Sequence, residues 1–121
     1  TVVRTQTKDF EKVTGTWSDG RIGSFRGIRS GKGGYGGMAF GTKAAAPVGS
    51  YDGYDPLLVE IVKFFKSGKP PVSAEETTEI YAFMEAADES KRQGFGPVKV
   101  AVVLQKATVA AQEKLQSVLG Y

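Results

Sequence analysis

Apolar and polar residues alternate along much of the first half of the chain, which is the period of half-buried β-strands. Four runs have strand character, at residues 3–7, 13–17, 22–28 and 38–46. Ser18-Asp19-Gly20 separates the second run from the third and has the residue types of a tight turn. One side of the third run is expected to carry Ile22, Ser24, Arg26 and Ile28. The fourth run ends at Pro47, and the pattern predicts an antiparallel sheet of about four strands.

Apolar residues recur at three- and four-residue intervals along the second half, which predicts amphipathic helices. Three segments show this spacing, at residues 54–67, 73–93 and 101–119. Pro56 suits the first turn of the first helix, and Gly68 suits its end. Ser73 and Glu76 have the spacing of a capping box that opens the second helix. Strands followed by helices predict an α+β fold, and we expect the three helices to pack on one face of the sheet.

Apolar residues form stripes along the helices. The first helix is apolar around much of its circumference, so we expect it to be packed on more than one side. The later stripes are Ile80, Phe83, Met84 and Ala87 in the second helix, and Val103, Leu104, Ala107, Ala111, Leu115 and Val118 in the third. We expect residues 1–121 to form a single domain, because a chain of this length can fold without metals or disulfides.

The composition argues against several classes of enzyme. The 121-residue chain has no cysteine, and therefore no disulfide, thiol nucleophile or thiolate metal site. It also has no histidine, which is the commonest general base and metal ligand. A free-standing hydrolase or a zinc enzyme is therefore not expected, and we predict no metal site.

Charge and apolar content bear on the partners. The net charge is +3, from 16 basic and 13 acidic residues with the signs interspersed, whereas nucleic-acid binders usually concentrate basic residues on one face. No apolar run approaches the roughly 20 residues of a membrane helix. We therefore expect neither a nucleic-acid nor a membrane partner. The chain starts at Thr1-Val2-Val3 without an initiator Met or signal-peptide features, and we expect it to be the middle of a longer polypeptide.

A glycine-rich segment, Gly31-Lys32-Gly33-Gly34-Tyr35-Gly36, satisfies the dinucleotide-binding pattern G-x-G-x-x-G. That fingerprint requires a buried strand before it and a long helix after it, because the helix N-terminus binds the pyrophosphate. Here an arginine-rich alternating run precedes the glycines and a strand-like run follows them. The sequence favours a glycine-permitted bend between strands over a cofactor-binding loop.

Basic and aromatic residues are interleaved between residues 21 and 43. The basic residues are Arg21, Arg26, Arg29, Lys32 and Lys43, and the aromatic residues are Phe25, Tyr35 and Phe40. On a sheet, this mixture could form a platform for single-stranded nucleic acid. The small charge excess favours arginine stems that cover a sheet face or an oligomer contact. A third alternative is that some of these side chains bind a sugar or carboxylate substrate.

The second half contains an ordered series of motifs. The series consists of the helical run Glu60–Phe65, the link Gly68-Lys69-Pro70, the serine-capped helix, the element Ala87-Asp88-Glu89-Ser90, then Gly94 and Pro97-Val98. Thr16-Trp17 followed by Asp19-Gly20-Arg21-Ile22-Gly23 has the pattern of a preceding hairpin. Over residues 10–100, this order and spacing resemble the C-terminal domain of the Gfo/Idh/MocA family of NAD(P)-dependent oxidoreductases.

The resemblance implies a fold and an activity for a longer protein. Members have an N-terminal Rossmann domain that binds NAD or NADP, and a C-terminal domain with an open antiparallel sheet and helices on one face. They transfer hydride to or from sugars, inositols or related polyols. Their sheet commonly forms homodimers or tetramers. The chain is thus expected to be part of the C-terminal domain, with the Rossmann domain absent, and to form a homo-oligomer through its sheet.

The chain departs from the family pattern at the catalytic residues. The family's catalytic lysine belongs to a Glu-Lys-Pro motif in the Rossmann half, and its catalytic histidine has no counterpart here. We therefore assign no catalytic and no cofactor-binding residue, and expect the chain alone to be inactive and to bind no cofactor. The candidate wall for a sugar-like substrate is Arg26, Arg29, Lys32, Tyr35 and Lys43. The alternatives are a non-catalytic oligomerisation module or a single-strand nucleic-acid binder.

Overall fold

A computed structural model describes residues 1–49 and 51–120 of the chain as an α+β protein with small antiparallel sheets and three helices. The strands are β1 (Val2–Gln6), β2 (Phe10–Thr16), β3 (Ile22–Ile28), β4 (Gly37–Phe40) and β5 (Ala45–Val48). The helices are α1 (Asp55–Ser67), α2 (Ala74–Arg92) and α3 (Val100–Leu119). The predicted helices are confirmed to within a few residues, and glycines with positive φ, at Gly68, Gly94 and Gly120, follow their ends.

The first sheet has three strands in the order β1-β2-β3, all antiparallel. The turn between β2 and β3 is confirmed: the Trp17 N–H donates to the Arg21 carbonyl at 2.9 Å, and Gly20 has a φ of 89°. The pairing register of β3 places Ile22, Ser24, Arg26 and Ile28 on one side, as predicted. That side lies opposite the one that packs against α2 and α3, and is called the open face below.

The prediction of one sheet with about four strands is wrong in its last element. Residues 38–46 are not one strand, because the chain turns at Gly41–Ala44 and returns as β5, which pairs only with β4. The Gly41 N–H donates to the Ala44 carbonyl at 2.9 Å, so Pro47 falls at a non-hydrogen-bonded position opposite Met38. Pro47 therefore lies inside β5 without removing a ladder bond, which is how a two-stranded ribbon tolerates proline.

The chain divides into two compact units. Unit 1 consists of Thr1–Ser30 together with the chain from Ala74 onward, and unit 2 is Gly31–Ser73. Unit 1 therefore contains the three-stranded sheet, α2 and α3, whereas unit 2 contains the β4–β5 ribbon and α1.

Unit 1 has a small core between the sheet and its helices. Its buried members are Val2, Val13, Ala86, Ala87, Val98 and Val103, with Phe83 and Val100 packed against them. Val2 is 1% exposed, and Ala86 is fully buried. Small side chains let α2 approach the strands closely, so the core is filled by valine and alanine. The predicted stripe of α2 is therefore only half right: Phe83 and Ala87 face the core, but Ile80 and Met84 are exposed.

A buried serine joins the end of α2 to the first strand. The Ser90 hydroxyl accepts a hydrogen bond from the Arg4 N–H at 3.0 Å and donates one to the Gly96 carbonyl at 2.7 Å. The following turn brings Val98 beside Val2, where each N–H donates to the other's carbonyl at 2.7 and 2.9 Å. A completely buried hydroxyl is stabilised by having both partners. Ser90 thus fixes the turn between α2 and α3 against β1.

The described part of unit 2, residues 31–49 and 51–73, forms its elements without burying side chains. α1 begins after Tyr54, carries Pro56 in its first turn and ends at Gly68, whose φ of 68° suits a helix C-cap. No residue of α1 is buried, which contradicts the expectation that this helix is packed on more than one side. Local signals therefore specify the helix, while its apolar residues remain exposed.

Candidate functional site

A groove of about 660 Å³ is the candidate site of unit 1. It lies between α2, the neighbouring ends of β1 and β2, and the start of α3. Its walls include Trp17, Glu76, Glu79, Ile80, Phe83 and Met84. This volume is within the range of small-molecule pockets, and a mainly apolar wall with a few polar groups is typical of them. Ile80 and Met84 of α2, which lie outside the core, are part of this wall.

Two glycines allow Trp17 to form one wall of the groove. Gly15 and Gly23 are paired across β2 and β3. A Cβ at Gly15 would lie 3.0 Å from the indole ring and 2.8 Å from the Phe83 ring, and one at Gly23 would lie 3.1 Å from the indole. The contact with Phe83 is shorter than real Cβ contacts, and those with the indole are tighter than most of them, so glycine at both positions gives the indole room to fold back over the sheet. The spacing Gly15-Thr16-Trp17 in the sequence encodes this arrangement.

Trp17 and Phe83 form an aromatic pair across the groove. Their ring centroids are 6.2 Å apart with an angle of 11° between the planes, which is an offset stacked geometry. The Arg21 guanidinium lies 5.8 Å from the Trp17 ring and also binds the Asp19 carboxylate at 2.7 Å. The pair attaches α2 to the end of the sheet and offers an aromatic surface to a ligand.

The ionisable side chains that line the groove are Glu76 and Glu79 on α2 and Lys99 before α3. Carboxylates accept hydrogen bonds and an ammonium group donates them, so these groups suit a ligand with hydroxyl substituents on an apolar ring. Within residues 1–49 and 51–120, no cluster of metal-ligating side chains is present. The groove therefore has the features of a binding site.

Two of the predicted wall residues lie on opposite faces of the sheet. Arg26 is on the open face, where its guanidinium lies 5.4 Å from the Phe10 ring. Arg29 follows β3 and reaches the other face, where it pairs with the Glu11 carboxylate at 3.3 Å. Glu11 also pairs with Arg4, which in turn pairs with Asp88 of α2. Arg29 thus extends an ion-pair network, and Arg26 belongs to a different surface.

The other three predicted wall residues belong to unit 2. Lys32 and Tyr35 are in the loop before β4, and Lys43 is in the turn between β4 and β5. The Tyr35 ring contacts Tyr51 at a centroid distance of 5.7 Å, and Tyr51 contacts Tyr54 at 6.0 Å. These aromatic rings form a small surface cluster within unit 2.

The glycine-rich loop Gly31–Gly36 connects two strands. It follows the end of β3 and leads into β4, and no helix begins at its end. This is the strand–bend–strand context that the sequence favours, and it lacks the helix N-terminus on which a dinucleotide fingerprint depends. Gly31 and Gly36 have positive φ values of 90° and 151°, which explains why glycine occupies these two positions.

Asp19, Glu89 and Arg92 have shifted pKa values and lie on the surface. The Arg21 backbone N–H, together with its side chain, lowers the pKa of Asp19. The Arg92 side chain, and then Gln93, lower the pKa of Glu89 by hydrogen bonding to its carboxylate. Hydrogen bonds to Glu89 and Glu85 raise the pKa of Arg92. Each shift is explained by a local turn or helix pair, and none indicates catalysis.

Comparisons with known protein families, with curated proteins and with solved structures found no match to this chain. Among the described helices, none has the length and apolar character needed to cross a membrane.

The groove was missed by the sequence predictions, which placed Ile80 and Met84 only on a common helix face with Phe83 and Ala87. One signal could have indicated it: Gly15 and Gly23 flank Trp17 at strand positions where glycine is otherwise unfavourable. Such a pair indicates that a large side chain or a ligand lies close to the backbone.

Proposed function

We propose that the chain is a C-terminal portion of an NAD(P)-dependent sugar or polyol oxidoreductase of the Gfo/Idh/MocA type. In the full-length protein, a Rossmann domain would bind NAD or NADP, and hydride transfer would take place where the two domains meet. The chain would contribute the sheet, part of the substrate wall and an oligomer contact. Alone it would be inactive and would bind no cofactor.

The observation that carries this proposal is the role of the motif residues in unit 1. The Ala-x-x-Ser element ends in Ser90, which bonds to Arg4 and Gly96, and Val98 pairs with Val2. The motifs of the resemblance thus correspond to the contacts that join α2, the turn and β1. This gives a physical reason for the order and spacing of these motifs in the chain.

The finer architecture of the family belongs to the same proposal. There the three helices would share one face of a sheet larger than the three strands of unit 1. Exposed apolar residues of α1, such as Leu58 and Phe65, are available for such packing. The open face, which carries Arg26, would serve the oligomer contact. Lys32, Tyr35 and Lys43 of unit 2 would then be the stronger candidates for the substrate wall, with Arg29 engaged by Glu11.

The first test is a fluorescence titration of the purified chain with NADH and NADPH. No binding is expected, because the proposal places the cofactor on another domain. Micromolar binding would contradict that placement. A second test is the complete coding sequence, which should encode a Rossmann fingerprint and a Glu-Lys-Pro motif upstream of Thr1. A coding sequence with neither motif would rule out the oxidoreductase.

The second candidate function is a non-catalytic oligomerisation module, which the absence of histidine and cysteine favours. Mass measurement by light scattering tests it, and a chain that is monomeric at all concentrations would count against it. A nucleic-acid platform is less favoured, because Arg26 and Arg29 lie on opposite faces of the sheet. Steeply salt-dependent oligonucleotide binding would restore it.

A further inference from the structure

The two edge strands of the three-stranded sheet differ in the hydrogen-bond partners on their outer sides. At the β1 edge, the Arg4 N–H donates to the Ser90 hydroxyl, and Val2 and Val98 exchange backbone hydrogen bonds, so these outward groups of β1 have partners. β3 is the other edge strand, seven residues long, with neither proline nor an interrupted register. Such an edge is a template for another strand, and proteins usually block it.

The backbone groups that β3 presents outward can be identified. The Trp17 N–H donates to the Arg21 carbonyl at 2.9 Å, and the Arg29 N–H donates to the Asp9 carbonyl at 2.8 Å. In an antiparallel ladder, hydrogen-bonded residues alternate. Odd-numbered residues of β3 therefore bond to β2, and the outward N–H and C=O groups belong to Ile22, Ser24, Arg26 and Ile28.

The sequence of β3 is close to a palindrome. It reads Ile-Gly-Ser-Phe-Arg-Gly-Ile, with Phe25 at the centre. Paired antiparallel with a second copy about Phe25, the strand would place Ile22 against Ile28, Gly23 against Gly27 and Ser24 against Arg26. The outward backbone groups of both copies are then in the correct register, because even-numbered residues meet even-numbered residues. A twofold axis requires a surface that complements itself, and this strand meets that requirement.

The side chains of β3 also fit such a pair. Ile22, Phe25 and Ile28 are 71%, 58% and 46% exposed, although apolar. Phe25 would face its symmetry mate at a non-hydrogen-bonded position, where side chains approach most closely and aromatic pairs stabilise a sheet. The one charge on the strand, Arg26, lies over the Phe10 ring of β2 and so leans away from the edge.

We propose that two copies of this chain associate through β3, which pairs antiparallel with itself about Phe25 to form one continuous six-stranded sheet. The inference rests on the proposed self-association of the sheet and gives it a geometry. It requires no oxidoreductase activity. The partner is a second copy, because the strand is complementary to its own reverse.

The absence of cysteine from the chain permits a clean crosslinking test. On the axis, two Phe25 Cα atoms would lie about 4.5 Å apart, within the range that a disulfide spans. The Phe25→Cys variant should form covalent dimers under mild oxidation. Ile28→Cys is the matched control, since its two copies would be about 20 Å apart along the paired strands. Equal crosslinking of the two variants would overturn the proposal.

A second pair of variants separates edge pairing from other association. Ser24→Pro removes an outward N–H without touching a bond to β2, and Ser24→Ala keeps that N–H. We expect Ser24→Pro to weaken dimerisation at least about tenfold and Ser24→Ala to leave it unchanged, with circular dichroism confirming that both remain folded. A dimer insensitive to Ser24→Pro would overturn edge pairing while leaving open-face association intact. A wild-type chain that is monomeric throughout the micromolar range would contradict both.

Discussion

The two edge strands of the sheet differ in what lies beside them. β1 is held from outside by the Ser90 hydroxyl and by Val98, and its Val2 side chain is completely enclosed. β3 has comparable length and the same neighbour, β2, yet its apolar side chains stay exposed. Strand formation is thus common to both edges, and the difference comes from residues more than 80 positions away along the chain.

This difference indicates which contacts stabilise the fold of unit 1. The contacts of β1 join residues from both ends of the chain, so losing one of them uncouples the sheet from α2 and the following turn. Contacts of β3 on its outer side would come from another molecule. Variants at the first edge should therefore change folding, while variants at the second should change association.

The largest effect is expected for Ser90→Ala. The Arg4 N–H and the Gly96 carbonyl would both lose their partner in a buried place, which should lower the free energy of unfolding by about 3 kcal/mol. Ser117→Ala is the control, because that hydroxyl bonds the Lys114 carbonyl on an exposed helix surface. Urea denaturation measures both, and a Ser90 variant as stable as the control would disprove the role of the serine.

Truncation of one apolar side chain at each edge makes the comparison direct. Val2→Ala should lower the free energy of unfolding by about 2 kcal/mol, because the side chain is buried in the core. Ile22→Ala should lower the free energy of unfolding of the dilute monomer by less than about 0.5 kcal/mol, because that side chain is exposed. Equal losses in chemical denaturation would show that the two edges are not different.

A smaller effect is expected at the aromatic wall of the groove. In Gly15→Ala the new methyl group would meet the Phe83 and Trp17 rings, which must shift at a cost of about 1.5 kcal/mol. The single tryptophan of the chain reports that shift through its fluorescence. Gly33→Ala, where a Cβ meets nothing within 4 Å, should leave the emission unchanged. Unaltered emission in both variants would mean that the glycine pair does not place the indole.

The smallest effect concerns the pH dependence of the Glu89–Arg92 pair on α2. The pKa of Glu89 is below its ordinary value of 4.5, so the ionised carboxylate stabilises the folded chain above about pH 4.5, and this contribution is lost as the pH falls. Glu89→Gln should lower the thermal midpoint slightly at pH 7, and this deficit should shrink as the pH falls below 4.5. Glu113→Gln serves as a charge-matched control on α3. A difference in thermal midpoint that increased as the pH fell would contradict the predicted direction of the pH dependence.

The sequence predicted the helices well because their signals are local. Pro56, Gly68 and Gly94 mark boundaries through their own backbone preferences, wherever the helix packs. The third strand and its turn were predicted for the same reason. By contrast, Pro47 was taken as the end of a strand, although pairing geometry permits it inside β5.

Predictions that depended on distant partners were less successful. Helical spacing placed Ile80 and Met84 on one face with Phe83 and Ala87, but the sheet accepts the small side chains of Ala86 and Ser90 instead. Arg26 and Arg29 were grouped into one wall by their proximity in sequence, yet strand alternation and the end of β3 direct them to opposite faces. A periodic pattern predicts which residues share one face of a helix or strand. What that face contacts depends on elements that are distant in the sequence.

The most direct test of this account is amide hydrogen exchange measured at low and high protein concentration. The Arg4 and Val2 amides should be protected at both concentrations, because their partners belong to the same chain. The Ser24 and Arg26 amides should exchange rapidly in dilute solution and become protected as the concentration rises. Protection of Ser24 and Arg26 that is independent of concentration, or rapid exchange at Arg4, would contradict the difference between the two edges.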